Sequence, residues 1–310
     1  MTSRPTTFSI VIPAYNSKAT IGSAIKSVQR QSRADFELII VDDGSTDDTA
    51  SRVEPFLRDE RIRLISQQNL GVAAALNRGI ASTRGQYVSF LGSDDLWLPH
   101  YLAAMASTLD GDPGAAVAYT DAWILDDATR RIRRMTTAGP FHPPEAPRQP
   151  SEFFRSLLER GNYVFAGATI RRWVFDEVGT FRAELRSAED YEFWLRIASH
   201  GYRFVRCPLK LAIYRQRPGQ LTADRRRVLL FATKVFQIVV EEYDAPEDVR
   251  ELARQRMQEL ERLADSFNSI GPRRVPRRVV WASNWLSRMR QFYMRPPRAI
   301  RDAYPDLHAL

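Results

Sequence analysis

Three pairs of neighbouring carboxylates stand where an apolar run gives way to turn or helix-starting residues: Asp42-Asp43, Asp94-Asp95 and Glu189-Asp190. Adjacent negative charges disfavour each other's ionisation unless a cation or hydrogen-bond donors lie beside them. Hard carboxylate oxygens in such a place suit Mg2+ or Mn2+. These ions take one or two protein carboxylates and complete their shell with phosphate oxygens and water. A fourth polar signal, Pro13-Ala14-Tyr15-Asn16, closes the first apolar run. A tyrosine there can stack on a base, and the carboxylates after the second run can accept hydrogen bonds from a base or ribose. Taken singly, each signal has a plain structural reading. "DDGS" is an ordinary turn, "SDD" and "ED" are helix-starting acids, and Tyr15 is a half-buried core aromatic. What sets them apart is their order at the ends of successive elements.

Those elements alternate. "FSIVIPAY" reads as a strand, and "TIGSAIKSVQRQS" follows with Ile21, Ala24, Ile25 and Val28 at helical spacing. "FELIIVDDGS" is a second strand, "TDDTASRVEPFL" a capped helix, "RIRLISQ" a third strand, "GVAAALNRGIAST" a helix and "GQYVSFLGSDD" a fourth strand. A helix from about Pro99 and the strand "AAVAYTDAWIL" continue the pattern. Alternation of this kind predicts an α/β fold with a mainly parallel sheet flanked by helices, whose ligand crevice lies beyond the carboxyl ends of the strands. The proline-dense stretch 139–150 is expected to be a surface loop. Beyond it come a helix at "SEFFRSLLERG", a strand at "YVFAGATI", a short helix at "RRWVFDEVG" and a helix at "SAEDYEFWLRIASHG". Two strands, "RFVRCP" and "LKLAIYRQR", follow, and the pattern from Ala223 onward is helical.

Of 310 residues, 44% are hydrophobic, which suits a globular protein with a substantial core. No apolar run is long enough to span a membrane, and the first residues lack the features of a signal peptide. The single cysteine, Cys207, excludes an internal disulfide and fits a cytoplasmic setting. The four histidines are too scattered for a zinc site. The net charge of +8 is uneven: residues 271–310 hold nine arginines and two aspartates, +7 of the total.

The chain resembles family 2 glycosyltransferases of the GT-A fold, a Rossmann-like arrangement. The resemblance rests on "FSIVIPAYN", "FELIIVDDGSTDDT", "NLGVAAALNRGI", "GQYVSFLGSDDLW", "VGTFRAELRSAEDYEFWLRI" and "IYRQRPGQLT", in family order from about Phe8 to Thr222. It implies transfer of a hexosyl or deoxyhexosyl group, with inversion, from a nucleoside diphosphate (UDP- or dTDP-linked) to a hydroxyl of a glycan or lipid-linked saccharide, as in polysaccharide biosynthesis. It implies a domain over 1–222, with a nucleotide-sugar half at 1–121 and an acceptor half at 151–222, and a helical basic extension over 223–310. By the same resemblance Pro13, Ala14, Tyr15, Asp42, Asp43 and Asp95 line the nucleotide pocket. Asp94, supported by Asp95, holds Mn2+ or Mg2+, and Asp190 beside Glu189 is the general base. Three positions depart from the family. Gly92 stands where the first aspartate of DxD is common, Leu76 where an arginine is common, and Arg217 where a histidine often follows "YR". Arg217 is thereby a candidate diphosphate contact, and the three departures leave both full and reduced dependence on the metal open.

The stretch 271–310 mixes its arginines with Trp281, Trp285, Phe292 and Tyr293. This composition suits an interfacial segment on an anionic membrane, so the enzyme is expected to sit peripherally on the inner face. Packing of the aromatics on the body is the plainer reading, and nucleic acid is not an expected partner. Two other functions compete with transfer. A non-catalytic nucleotide-sugar-binding protein would explain Gly92, and a nucleotidyltransferase would also use a metal on an α/β sheet, although "PAYN" and "ED" are not its signature.

Overall fold

The computed structural model describes residues 7–129, 131–134, 147, 149–164, 167–217, 219–270, 300 and 303–304. The basic stretch 271–299 and its tryptophans, and most of the proline-dense stretch 139–150, lie outside these residues.

Strands β1 (Phe8–Ala14), β2 (Phe36–Asp42), β3 (Ile62–Ser66) and β4 (Tyr87–Phe90) pair in parallel in the order β3-β2-β1-β4. Their side chains alternate between two cores. Val11, Ile39 and Val41 face one, and Ile10, Ile12, Leu38 and Ile40 face the other. Burial on both sides explains why these strands read as unbroken apolar runs. Helix α1 (Ile21–Gln29) covers one face with Ile21, Ala24, Ile25 and Val28, and α3 (Val72–Ile80) covers the other.

Past β4 the sheet is mixed. Strand β8 (Thr169–Arg171) is antiparallel to β4 and to β6 (Ala115–Asp126), while β9 (Arg203–Gln216) returns parallel to β6. A two-residue strand β5 (Leu96–Trp97) pairs antiparallel with β9, and β7 (Arg131–Arg134) with β6. The parallel half thus ends at β4, a refinement of the mainly parallel sheet read from the alternation. Three local readings change for physical reasons. The helix expected over "TDDTASRVEPFL" is α2 (Thr49–Val53) followed by a 3-10 turn (Glu54–Arg58), because Pro55 cannot donate to an α-helical ladder. The two strands expected around Pro208 are one strand, β9, whose pairing with β6 shifts register between Thr120 and Ala122 and so takes up the proline. The strand expected over "YVFAGATI" is confined to β8, with Tyr163 and Val164 buried outside it.

The remaining helices are α4 (Tyr101–Asp110), α5 (Pro150–Arg160), α6 (Trp173–Val178), α7 (Glu189–Ser199), α8 (Arg225–Glu242) and α9 (Glu247–Ile270). Helix α7 presents Tyr191, Trp194, Leu195 and Ala198 to the core, as its spacing predicts. Helices α8 and α9 share that core through Leu229, Phe236, Val239 and Leu260. The joint is polar at its centre. Glu192 is fully buried and accepts from Arg196 Nε at 2.9 Å, Arg182 Nε at 3.1 Å and the Tyr243 hydroxyl at 2.9 Å. Removing Glu192 takes from the buried Tyr243 hydroxyl, Arg196 and Arg182 the carboxylate they share, although each arginine keeps other acceptors. Glu192→Ala is therefore expected to lower the unfolding free energy by about 3–5 kcal/mol. Glu184→Ala, at the exposed end of the same Arg182, should cost less than about 1 kcal/mol. Guanidinium denaturation monitored by circular dichroism checks both.

Candidate active site

The parallel register brings the ends of β1 and β2 level, with Ala14 opposite Asp42. Beyond that edge the chain makes a set of interlocked turns. Asn16 takes a left-handed conformation, φ 49°, and its amide donates to Ser45 Oγ at 3.0 Å while its own Oδ1 accepts from the Thr46 amide at 2.8 Å. The Ser17 and Ser93 hydroxyls meet at 2.7 Å, tying the end of β1 to the loop after β4. Tyr15 is left 47% exposed at the rim, so the core reading of this ring does not hold, and Pro13 and Ala14 lie beneath it in β1.

The first carboxylate pair divides its work. Asp43 accepts from Gln67 Nε2, from the Leu70 amide and from the Gly71 amide, all within 2.9 Å, and so fixes the loop that starts α3. Asp42 Oδ1 accepts from the Ser45 amide at 3.1 Å, while its second oxygen has no protein donor among the described residues. Gly44, at φ 72°, is required between them. A Cβ there would lie 2.7 Å from the Asn69 amide nitrogen of the loop that Asp43 holds.

The second pair divides more sharply. Asp95 turns inward, 6% exposed, and its Oδ1 accepts from the Arg215 amide at 2.9 Å. Burial pushes its carboxyl well above the ordinary range, with the Asp94 charge adding to the shift and Arg215 and Arg217 opposing it. Asp94 turns outward, and its Oδ2 accepts from Arg217 Nε at 3.0 Å. Its main-chain oxygen accepts from Arg215 Nε at 2.9 Å. Gly92 belongs to this arrangement. A Cβ at position 92 would sit 2.8 Å from Asp95 Oδ2 and 3.1 Å from Asp94 Oδ1. The carboxylates occupy the room that a side chain at 92 would need. Leu76, the second departure, is a core residue on α3, 6% exposed.

The third pair opens α7. Ala188 precedes it at φ 60°, a left-handed conformation that costs a non-glycine residue free energy and recurs at functional sites. Asp190 Oδ2 accepts from Asn162 Nδ2 at 2.9 Å, and Oδ1 from the Tyr191 amide at 2.7 Å. Burial raises the Asp190 carboxyl above its ordinary value, and these two donors pull it back. Glu189 is pushed up to about 8, first by burial and then by the Asp190 charge, with Arg227 of α8 opposing. Both residues are half-buried, with their carboxyl groups on the buried side. The approach to α7 also touches the nucleotide half. The Arg186 side chain lies beside Gly71, whose amide holds Asp43, and the Arg186 main-chain oxygen accepts from Arg227 Nη2 at 2.9 Å.

Asn162, Arg215 and Arg227 were not expected from the sequence. Asn162 follows the helix-ending Gly161 with no motif around it, and Arg227 sits in the extension. Arg215 stands within "IYRQR" and was the one open to detection.

For a divalent cation, the described residues offer no group of three or more His, Cys, Asp or Glu close enough to form a cage. Asp94 and the more buried Asp95 both point an oxygen at the space over Gly92, and Gly92 itself contributes no ligand. That donor set fits an ion carried chiefly by diphosphate oxygens and water, as Mg2+ commonly is.

The sequence profile of Glycosyl transferase family 2 matches residues 9–190. The chain belongs to glycosyltransferase family 2. Among curated relatives of this family, the Escherichia coli UDP-Glc:alpha-D-GlcNAc-diphosphoundecaprenol beta-1,3-glucosyltransferase WfaP is 28% identical over 74% of this chain and 86% of its own. The O-antigen biosynthesis protein RfbC of Myxococcus xanthus is 32% identical over 63% of this chain but only 15% of its own length, so the chain spans a small part of that relative. Among solved structures, Staphylococcus aureus TarS 1-349 in complex with UDP-GlcNAc superposes with a TM-score of 0.64 at 18% identity, covering 98% of this chain and 83% of that one. The mannosyltransferase PcManGT of Pyrobaculum calidifontis, in complex with GDP-Man and Mn2+, gives 0.59 at 20% identity over 91% and 80%. These likenesses establish the family 2 GT-A fold.

Asn162 stabilises the ionised form of Asp190 by donating to it, so its loss must favour the protonated form. In Asn162→Ala the Asp190 carboxyl should titrate at a higher pH than in the wild type, read by carbon NMR of labelled side-chain carboxyls. An unmoved titration would limit Asn162 to packing.

Proposed function

We propose that the protein transfers a sugar from a nucleoside diphosphate to an acceptor hydroxyl with inversion, and that the acceptor is a glycan or a lipid-linked saccharide. The observation that carries this reading is the division of labour within the carboxylate pairs. Asp43, Asp95 and the donors around Asp190 build the scaffold, and Asp42, Asp94 and Asp190 are left to meet substrate. The exposed Tyr15 ring can stack on the base, with Pro13 and Ala14 below it, and the free oxygen of Asp42 can accept from the base or ribose. Asp190 takes the proton of the attacking hydroxyl, and its raised carboxyl brings it nearer the operating pH of a general base. Glu189, largely protonated below about 8, keeps a second negative charge away from it.

The leaving diphosphate gathers negative charge as the bond to the anomeric carbon breaks. Bound Mn2+ or Mg2+ supplies Lewis-acid stabilisation of that charge. Asp94 would be its protein ligand, and Arg217 would pass from Asp94 to the diphosphate as donor and cation arrive together. A UDP- or dTDP-linked hexose or deoxyhexose is the proposed donor; UDP is supported by the TarS complex and by the UDP-Glc donor in the name of WfaP. The diphosphoundecaprenol acceptor in that same name supports a lipid-linked acceptor and, with it, a cytoplasmic enzyme held peripherally at the inner face of a membrane. No helix among the described residues is long and apolar enough to cross a membrane.

A donor screen that reads nucleoside diphosphate release, with Mn2+, Mg2+ or chelator, tests the reaction. Asp190→Asn should reduce transfer by at least about a hundredfold while nucleotide binding by calorimetry persists. Undiminished transfer would sink the base assignment, and binding without transfer by the wild type would favour a non-catalytic binding protein. Arg217 has its own test. The wild type should bind Mn2+ weakly without UDP and more tightly with it, by paramagnetic resonance of the free ion. Arg217→Gln should raise the UDP-free affinity roughly tenfold, the worth of one charge-assisted bond to Asp94. Equal affinities in the two proteins would show that Arg217 does not compete for Asp94.

A further inference from the structure

A cavity of about 690 Å3 lies on the outer face of α1, between that helix, the α2 region and Tyr304. Lys18, Lys26, Arg30 and Arg52 stand on its walls with Phe56, and no Asp or Glu among the described residues lines it. Tyr15, Asp42, Asp94 and Asp190 are not among its lining residues, so it is separate from the candidate active site. The spacing explains the stripe. Lys18, Gly22, Lys26 and Arg30 recur every four residues and so share one face of the helical turn. Like charges at that spacing destabilise a helix when nothing offsets them. Lys18 has a distant, exposed partner in Asp48 at 3.7 Å, and Arg30 donates to the Ala303 main-chain oxygen at 3.0 Å and lies over the Tyr304 ring. Lys26 and Arg52 have no ion pair or side-chain hydrogen bond among the described residues. A concave surface lined by one sign of charge focuses its field on a ligand of the opposite sign.

The other end of the chain comes to the same place. Ile300 and Tyr304 are buried in the α1 core, and the Tyr304 hydroxyl donates to the Trp97 main-chain oxygen. The arginine-rich sequence 271–299 therefore leads directly into residues seated beside the cavity.

We propose that this cavity binds the phosphate headgroup of an anionic lipid and so sets the outer face of α1 against a lipid surface. Four cations, with only the exposed Asp48 near one of them, select phosphate, and Phe56 and Tyr304 offer apolar contact to the carbon chain beside it. A bilayer presents such headgroups in one plane, which several basic side chains on one face can meet together. This reading is independent of the donor sugar, because the binding is measured without transfer.

The test is co-sedimentation of the full chain with phosphatidylcholine vesicles, with and without phosphatidylglycerol. The wild type should bind only the anionic vesicles, and Lys26→Ala/Arg52→Ala should bind them roughly thirtyfold more weakly. Both side chains are exposed, so the fold should be retained, which a melting curve checks. The matched control is Arg78→Ala/Lys234→Ala, which removes the same charge from two exposed helix positions in elements packed on the other core. It should bind like the wild type. Equal loss in the two variants would mean that net charge alone acts. No loss in the first, no binding by the wild type, or binding of glycerol 1-phosphate as tight as that of vesicles would each overturn the proposal.

Discussion

A buried carboxylate governs the architecture of the donor side. Asp95 lies where water cannot stabilise its charge, and its principal protein donor is the backbone amide of Arg215. That bond joins the loop after β4 to the far end of β9, residues 120 positions apart in the chain. Arg215 reinforces it by donating to the Asp94 main-chain oxygen, and Arg217 by meeting the Asp94 carboxylate. The loop after β4 and the end of β9 are thereby tied together. Gly92 follows from the same constraint, because the inward carboxylate needs the space that any side chain at 92 would fill. A side chain at 92 would have to displace these two carboxylates, so the missing acid of the motif and the placement of the remaining acids go together.

A similar economy holds at the other pairs. In each, the fold engages one carboxylate more fully than its neighbour. Asp43 orders the loop entering α3 and Asp42 keeps an oxygen free. At α7 burial pushes the Glu189 carboxyl up to about 8, and the Asp190 charge beside it adds to the shift. The helical extension takes part in this. Arg227 opposes the shift of Glu189, and Tyr243 completes the shell of Glu192 one turn further along α7. Residues beyond 222 therefore share the core of α7, although the sequence alone sets them apart as an extension.

Much of the fold could be read from periodicity. Both-face burial makes β1 and β2 continuous apolar runs, and the spacing of Ile21, Ala24, Ile25 and Val28 displays the buried face of α1. The readings that changed did so at prolines or at pairing. Pro55 shortens a helix, Pro208 enters a strand through a register shift, and β8 turns the sheet antiparallel. A local pattern holds no information on which strand lies beside which, so the parallel sheet was extended too far.

The sequence by itself determined the family, the alternation of strands and helices and the acids that punctuate them, because these are written in residue type and short-range spacing. It could not say which acid of each pair the fold engages, that Arg217 rests on Asp94, that Asn162 holds Asp190 or that four cations gather over α1. Those facts depend on contacts between residues tens to hundreds of positions apart. Only the folded chain, by choosing which carboxylates to bury and which donors to set beside them, decided them.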